Sequence, residues 1–507
     1  MSKSIVTLSD LSYTYPGAAT PVLNQVNGNF TAGFTGVLGA NGAGKSTLLQ
    51  IIAGTLAPDS GTVIGNDFVV FCEQRTDHPP ADLADFMSDD SGAAWEVRSR
   101  LDIPYDAEDR WETLSHGERK RTQIATALWR SPDVLLIDEP SNHIDGTTRQ
   151  LLEEALARFT GIGILVSHDR GLLDALCHEC LWIDRGKTQR FPGGYSTANA
   201  LRQQAFETGN QQYEKTKSEF RKLEAETHRR REKAARADSD RSKKKIDPKD
   251  KDAKTKVDLA RLTGKDAVAG KLLNQMAGRV EQAQEKLDQA SFNKSYLGEI
   301  WLSGKPAPRE HLWVGEPREL PIATGRALFM PSMDIRRTDR IVLTGDNGLG
   351  KSTLVRCILN ELSMDSTRLI YLPQELTAEE GQAVLADARS LDKSMLGRAM
   401  QIVSRLGSDP GRLLDSSTPS PGELRKLLLA LGLVREPWLI VMDEPTNHLD
   451  LPSIELLSAA LTACPCALLM VTHDEQLSVA VATREWRLTA DGENTRLAER
   501  YLSDITG

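Results

Sequence analysis

Apolar residues in this chain gather into short uninterrupted runs, and the runs come in matched pairs. Val134-Leu-Leu-Ile137 and Ile162-Gly-Ile-Leu-Val166 in the N-terminal half have counterparts in Leu439-Ile-Val-Met442 and Ala467-Leu-Leu-Met-Val471. A run of this length without polar alternation fits a central strand of a parallel sheet, buried on both faces. Val69-Val-Phe71, Leu181-Trp-Ile183 and Leu369-Ile-Tyr-Leu372 read as further strands, and alternation around Ile5, Thr7 and Leu8 as an N-terminal one. Residues 46–53 read as a helix. Strands alternating with helices predict an α/β sheet in both halves.

The middle of the chain follows a different period. Leu273, Met276, Val280, Ala283 and Leu287 are spaced 3, 4, 3 and 4, which is a heptad seam. Upstream, Tyr213, Phe220 and Leu223 repeat more raggedly on an otherwise charged helix. Two such helices, joined by a loop over about 237–270, predict an antiparallel coiled-coil hairpin. The first, 199–236, would extend roughly 57 Å at 1.5 Å per residue. The expected organisation is therefore a cassette at 1–198, a basic helical hairpin at 199–300, and a second cassette at 301–507.

Two glycine-rich loops fix the chemistry of the halves. Gly39-Ala-Asn-Gly-Ala-Gly44-Lys45-Ser46 and Gly345-Asp-Asn-Gly-Leu-Gly350-Lys351-Ser352 each fit the phosphate-loop pattern. In that pattern backbone N–H groups cradle phosphates, the lysine reaches the β/γ-phosphates and the hydroxyl holds Mg²⁺. The expected nucleotide contacts are Gly39, Asn41, Gly42, Gly44, Lys45, Ser46 and Thr47, and Gly345, Asn347, Gly348, Gly350, Lys351, Ser352 and Thr353. From Lys45 to Asp138 is 93 residues and from Lys351 to Asp443 is 92, while Asp138–His168 and Asp443–His473 are both 30. Matched spacing of this kind means duplication of a whole nucleotide-binding domain.

Asp138 and Asp443 end apolar strands, where a carboxylate can hold Mg²⁺. Glu139 and Glu444 follow, placed to orient or deprotonate an attacking water. His168 and His473 open the loops after the next strand, within reach of a γ-phosphate. Gln74 and Gln374 follow strands and suit Mg²⁺ and the water.

Composition adds one clue. Apolar content of 40% with 26% charged residues is ordinary for a soluble protein, and no stretch approaches the ~18 apolar residues of a membrane span. With no apolar signal-peptide core after Met1, a cytoplasmic location is expected. Six cysteines do not make a disulfide framework, and Cys177-His-Glu-Cys180 lacks a second pair for zinc. The net charge of −9 is segregated: residues 211–290 carry 22 Lys/Arg and 15 Asp/Glu, leaving +7 there and −16 elsewhere. A basic segment between acidic lobes points to a polyanionic partner.

Leu114-Ser-His-Gly-Glu118 and Pro419-Ser-Pro-Gly-Glu423 carry a resemblance. The chain resembles the ATP-binding cassette (ABC) ATPases, and Ser-x-Gly-Glu is similar to their signature. In that family two cassettes pack head to tail within one nucleotide sandwich. The resemblance therefore implies one site combining Lys45, Ser46, Gln74, Asp138, Glu139 and His168 with Ser420 and Gly422. The other would combine Lys351, Ser352, Gln374, Asp443, Glu444 and His473 with Ser115 and Gly117.

Ser141-Asn-His-Ile-Asp145, Thr446-Asn-His-Leu-Asp450 and Gly193-Gly-Tyr195 before a long charged hairpin are similar to the ABC-F subfamily. That likeness implies a monomeric ATPase using ATP and Mg²⁺, with its cassettes paired intramolecularly. It implies binding at the ribosomal E site, with the hairpin directed at P-site tRNA, rRNA and the peptidyl-transferase centre. Either ribosome protection against antibiotics or translation regulation would follow, with no DNA partner and no membrane domain. Residues 229–256, with 13 Lys/Arg against 6 Asp/Glu, would supply phosphate contacts. The alternative is a fused double-cassette energy subunit of a membrane importer, which would have no need of a basic hairpin.

Three features depart from the family pattern. Pro419 stands where the signature has leucine. Tyr15, in preference to Tyr13, is expected to stack on adenine in the first cassette, whereas residues 321–344 before the second loop offer only Phe329, so unequal sites are expected. Little chain lies between Gln74 and Ser115 for an additional arm, and little follows His473.

Overall fold

A computed structural model of the chain describes residues 5–18, 20–65, 68–141, 144–240, 275–276, 278–286, 306–323, 325–408, 410–415, 419–447 and 449–502. The chain forms two compact units, Met1–Ala198 with Ser295–Gly507, and Asn199–Lys294. The first unit holds both α/β halves.

In the N-terminal half a six-stranded sheet runs in the order Val69–Cys72, Val134–Asp138, Ile162–Val166, Gly33–Gly39, Cys177–Asp184, Lys187–Pro192. All neighbours are parallel except the last pair. The C-terminal half repeats this order with Leu369–Leu372, Leu439–Asp443, Ala467–Val471, Arg340–Thr344, Arg484–Asp491 and Asn494–Tyr501. The uninterrupted apolar runs are the fully buried strands: every residue of Val134–Asp138, Ile162–Val166, Leu439–Asp443 and Ala467–Val471 is buried. Two-sided burial is why these strands lack polar alternation.

The halves differ at one edge. Val6–Tyr13, Leu23–Phe30 and Ser60–Ile64 make a separate antiparallel sheet in the first. In the second, Arg326–Met330 pairs in parallel with Asn494–Tyr501, fusing the antiparallel strands to the main sheet.

The halves also share a core. One apolar cluster includes Phe34, Leu135 and Leu165 of the first with Ile454, Leu457 and Met470 of the second. The helix Leu451–Ala463 packs on the strand Gly33–Gly39, and Glu475–Val481 on Arg170–Leu176. Cys177 and Cys180 are buried free thiols, and burial pushes both up in pKa.

The first helix of the middle segment is longer than its sequence pattern predicts, running unbroken from Tyr195 to Asp240. It starts in the cassette unit because Tyr195 and Ala198 are buried in the shared core. In the second unit Phe206, Tyr213, Phe220 and Thr227 recur every seven residues as less exposed positions among exposed neighbours, as a seam requires. Met276 is buried, with Val280 and Ala283 half-buried. Of the loop expected at 237–270, residues 237–240 belong to the helix Tyr195–Asp240; Leu273, Leu287 and residues 241–270 lie outside the described residues. Among the described residues no helix is long and apolar enough to cross a membrane.

Candidate active site

Each phosphate loop leaves the end of a central parallel strand and runs into a helix, Lys45–Ile52 or Lys351–Glu361. Gly44 and Gly350, at φ 100° and 95°, hold the left-handed turn that aims the helix N-terminus back at the loop. Lys45 donates to the carbonyls of Gly39 (2.9 Å) and Ala40 (3.1 Å). Lys351 does likewise to Gly345 (2.6 Å) and Asp346 (3.1 Å), and also lies 3.4 Å from His473 Nε2. Burial holds both ammonium groups below their ordinary pKa despite the nearby carboxylates.

The paired carboxylates sit where the strand ends predict. Ser352 donates to Asp443 Oδ2 at 3.1 Å, and Ser46 hydrogen-bonds Asp138. Asp138 Oδ1 is buried without a hydrogen-bond partner among the described residues. In the second site Ser352, the buried Asp443 and Gln374 line one cavity, a hard-oxygen donor set that fits Mg²⁺ completed by phosphate and water. Desolvation raises the pKa of both aspartates.

Glu139 and Glu444 adopt φ of 47° and 49°, a left-handed backbone rare for a residue with a side chain. Backbone bonds to the next strand hold them there: Glu139 N donates to Val166 O (2.8 Å) and Glu444 N to Val471 O (2.9 Å). His168 N donates to Glu139 Oε2 at 3.1 Å, and its Nε2 lies 3.1 Å from Oε1. In the second half His473 Nε2 is 3.5 Å from Glu444 Oε1. Burial pushes Glu139 up to about 7 and raises Glu444 as well, so each approaches the basicity of a useful proton acceptor. Burial, reinforced by Lys351, lowers His473 to about 4, leaving a neutral imidazole.

A cavity of about 530 Å³ lies over the second phosphate loop. Asn347, Gly348, Gly350, Lys351, Ser352, Thr353, Gln374, Asp443, Glu444 and His473 line it, and so do Ser141, Asp145, Gly146, Arg149, His168 and Arg170 of the other half. Ser115 and Gly117, the expected partners, are not in that wall. Each signature serine instead caps its own helix through a capping box with Glu118 or Glu423. Gln74 is exposed at the end of its strand. Asn142, His143 and His448 lie outside the described residues.

Tyr13 is buried and Tyr15 is 46% exposed, its hydroxyl 2.9 Å from Thr47 Oγ1. Beside the second loop the corresponding surface is aliphatic: Ile322 lines the cavity and crowds Gly350.

Three structural roles escaped the sequence reading. Asp450 accepts from the backbone N–H of Asn41 at 2.8 Å, and Asp145 accepts from that of Asn347, so each half holds the other's phosphate loop. Arg170 grips Asp474 with contacts of 2.8 and 3.1 Å, tying together the turns after the two histidines. Lys120 and Arg425, both buried, donate to backbone carbonyls behind the carboxylates. The spacing in the paired Asn-His-x-Asp motifs could have flagged the aspartates, since Asp145 and Asp450 precede helices as N-caps.

The family model described as ABC transporter matches residues 23–142 and 328–447. The chain is 28% identical to the ribosome protection protein VmlR of Bacillus subtilis, over 99% of this chain and 89% of that protein. It is 30% identical to the tylosin resistance ATP-binding protein TlrC of Streptomyces fradiae, over 90% of this chain and 92% of that one. Its fold is similar to that of an archaeal ribosome recycling factor crystallised with the stalk protein aP1, with a TM-score of 0.61, 18% identity, and coverage of 98% of this chain and 90% of that one.

Proposed function

Because this chain belongs to the ABC-F family of ATP-binding cassette ATPases, we propose that it binds the ribosome and acts on it through the segment between its cassettes. Its two cassettes bind and hydrolyse ATP. The observation that carries the ribosomal reading is similarity along 99% of the chain, middle segment included, to a ribosome protection protein. The +7 charge of residues 211–290 supports it, since phosphate contacts are the physical basis of binding to RNA. Docking at the E site with the basic hairpin reaching P-site tRNA and the peptidyl-transferase centre is the arrangement proposed, whether for antibiotic protection or for translation control.

In each site the loop N–H groups and Lys45 or Lys351 bind the phosphates. Ser46, Asp138 and Gln74, and Ser352, Asp443 and Gln374, would hold Mg²⁺, which when bound neutralises phosphate charge. Glu139 or Glu444 accepts the proton of the water that attacks the γ-phosphorus, releasing ADP and phosphate. His168 and the neutral His473 orient the carboxylate and the transferred group. Ser420 with Gly422, and Ser115 with Gly117, would complete the sites as the cassettes close.

Glu139→Gln with Glu444→Gln should bind ATP, hydrolyse almost none, and halt cell-free translation at a concentration where the wild type does not. Near-normal ATP turnover would remove the glutamates from the mechanism, and undisturbed translation by an ATP-bound variant would count against ribosome action. The importer reading predicts instead recovery with membranes.

A further inference from the structure

The helix that leaves the first cassette is fastened to the second cassette at its first residue. Tyr195 is 2% exposed, and its hydroxyl donates to Glu455 Oε1 at 2.5 Å. Glu455 lies just past the first turn of the helix Leu451–Ala463, whose N-cap is Asp450. The Asp450 carboxylate is shared. Its Oδ1 accepts from Ser453 N at 2.9 Å, capping the helix, and its Oδ2 accepts from Asn41 N at 2.8 Å in the first phosphate loop. A continuous series of contacts thus joins that loop to the root of the helix Tyr195–Asp240, through one rigid helix of the other cassette.

The second phosphate loop has the first half of this series only. Asp145 caps Gly146–Leu156 and accepts from Asn347 N. The position matching Glu455 is Gln150, which bonds Glu154 one turn along at 3.0 Å. The link to the long helix is therefore built on one site.

We propose that Tyr195 and Glu455 are positioning residues that couple closure over the first phosphate loop to the orientation of the helix Tyr195–Asp240. Asn41 and Asp450 are already bonded, so a shift of the first phosphate loop as the cassettes close would carry Leu451–Ala463 as a body, and the buried tyrosine with it. The lever is long: 46 residues span about 69 Å, so a tilt of about 5° at the root displaces the far end by roughly 6 Å. This deepens the proposed function by naming the cassette contact that would steer the middle segment. It rests on ATP-driven closure and not on ribosome binding, so a failure here is separable from a failure there.

The test uses the full chain carrying Glu139→Gln and Glu444→Gln, with Cys357→Ser and spin labels at Ser218→Cys and Glu493→Cys. The label-to-label distance is measured with and without ATP and Mg²⁺, without ribosomes. Ser218 lies halfway along the helix, so the parent should show a nucleotide-dependent shift of about 3 Å. Tyr195→Phe, Glu455→Ala and their combination should each lose most of it, the double no more than either single, while melting temperature and ATP affinity stay near the parent's. Gln150→Ala should keep the full shift. The proposal is overturned if the parent shows no shift, if Tyr195→Phe retains it, if the two losses add, or if Gln150→Ala loses as much.

Discussion

Lys120 should prove a support of the first cassette's catalytic groups, although it lies outside the phosphate loop. Its ammonium group is 1% exposed and donates to Glu73 O at 2.6 Å and Gln123 Oε1 at 3.0 Å, with Gln74 O and Asp138 O both at 3.4 Å. Two of these are full hydrogen bonds by distance and two are weak. Lys120→Met keeps most of the volume but takes the donor from the Glu73 carbonyl and the Gln123 amide oxygen, part-buried acceptors that water can partly re-satisfy, at about 1 kcal/mol each. Removing a desolvated charge, whose burial already depresses the lysine pKa, returns part of that. The net loss should be about 1–2 kcal/mol. Spread over the one unit that holds both cassettes, that is a fall of roughly 1–4 °C in melting temperature. Turnover should fall further than folding alone requires, because the carbonyls of Glu73 and Gln74 fix the segment carrying the Gln74 side chain. Measured in a Glu444→Gln background, so that only the first site turns over, kcat should drop on the order of 10- to 100-fold at a temperature where the variant is folded. A melting point within about 1 °C of the parent, with kcat unchanged, would refute the reasoning.

Three further outcomes are expected. Lys45→Ala and Lys351→Ala should differ in residual ATP affinity and turnover, since the exposed Tyr15 lies beside the first phosphate loop and the aliphatic Ile322 beside the second; equal values by nucleotide titration would remove that asymmetry. Burial raises the folded pKa of Glu139 to about 7 against about 4.3 unfolded, so the folded state binds more protons in between and stability falls as pH rises across that window. Melting of nucleotide-free protein in EDTA should therefore decline from pH 5 to 7 more steeply than in Glu139→Gln, and parallel curves would contradict the raised carboxyl. Replacing Lys243, Lys244 and Lys245 with alanine should weaken ribosome binding and flatten its salt dependence by nearly one unit of log–log slope per lost phosphate contact, with basal ATPase retained; an unchanged slope would assign docking to the cassettes.

The central strands, phosphate loops and strand-end carboxylates were legible because each depends on local sequence. A doubly buried strand must be continuously apolar, and a left-handed turn ahead of a helix favours glycine. Duplication then carried each assignment from one half to the other. What escaped was relational. Nothing near Asp450 says that its second oxygen meets Asn41, and nothing near Tyr195 says that Glu455 waits 260 residues away. Lys120 and Arg425 follow Ser-x-Gly-Glu with no local pattern to set them apart, and packing turns them inward onto carbonyls. The early start of the long helix has the same origin: Tyr195 and Ala198 belong to a core shared with the second cassette, which no helical period reveals.

The most direct test of the account is co-sedimentation of the Glu139→Gln/Glu444→Gln protein from a fractionated lysate with ATP. The account predicts that it pellets stoichiometrically with ribosomes, that ADP in place of ATP releases it, and that washed membranes retain none. Recovery with membranes, or ribosome binding indifferent to nucleotide, would contradict it.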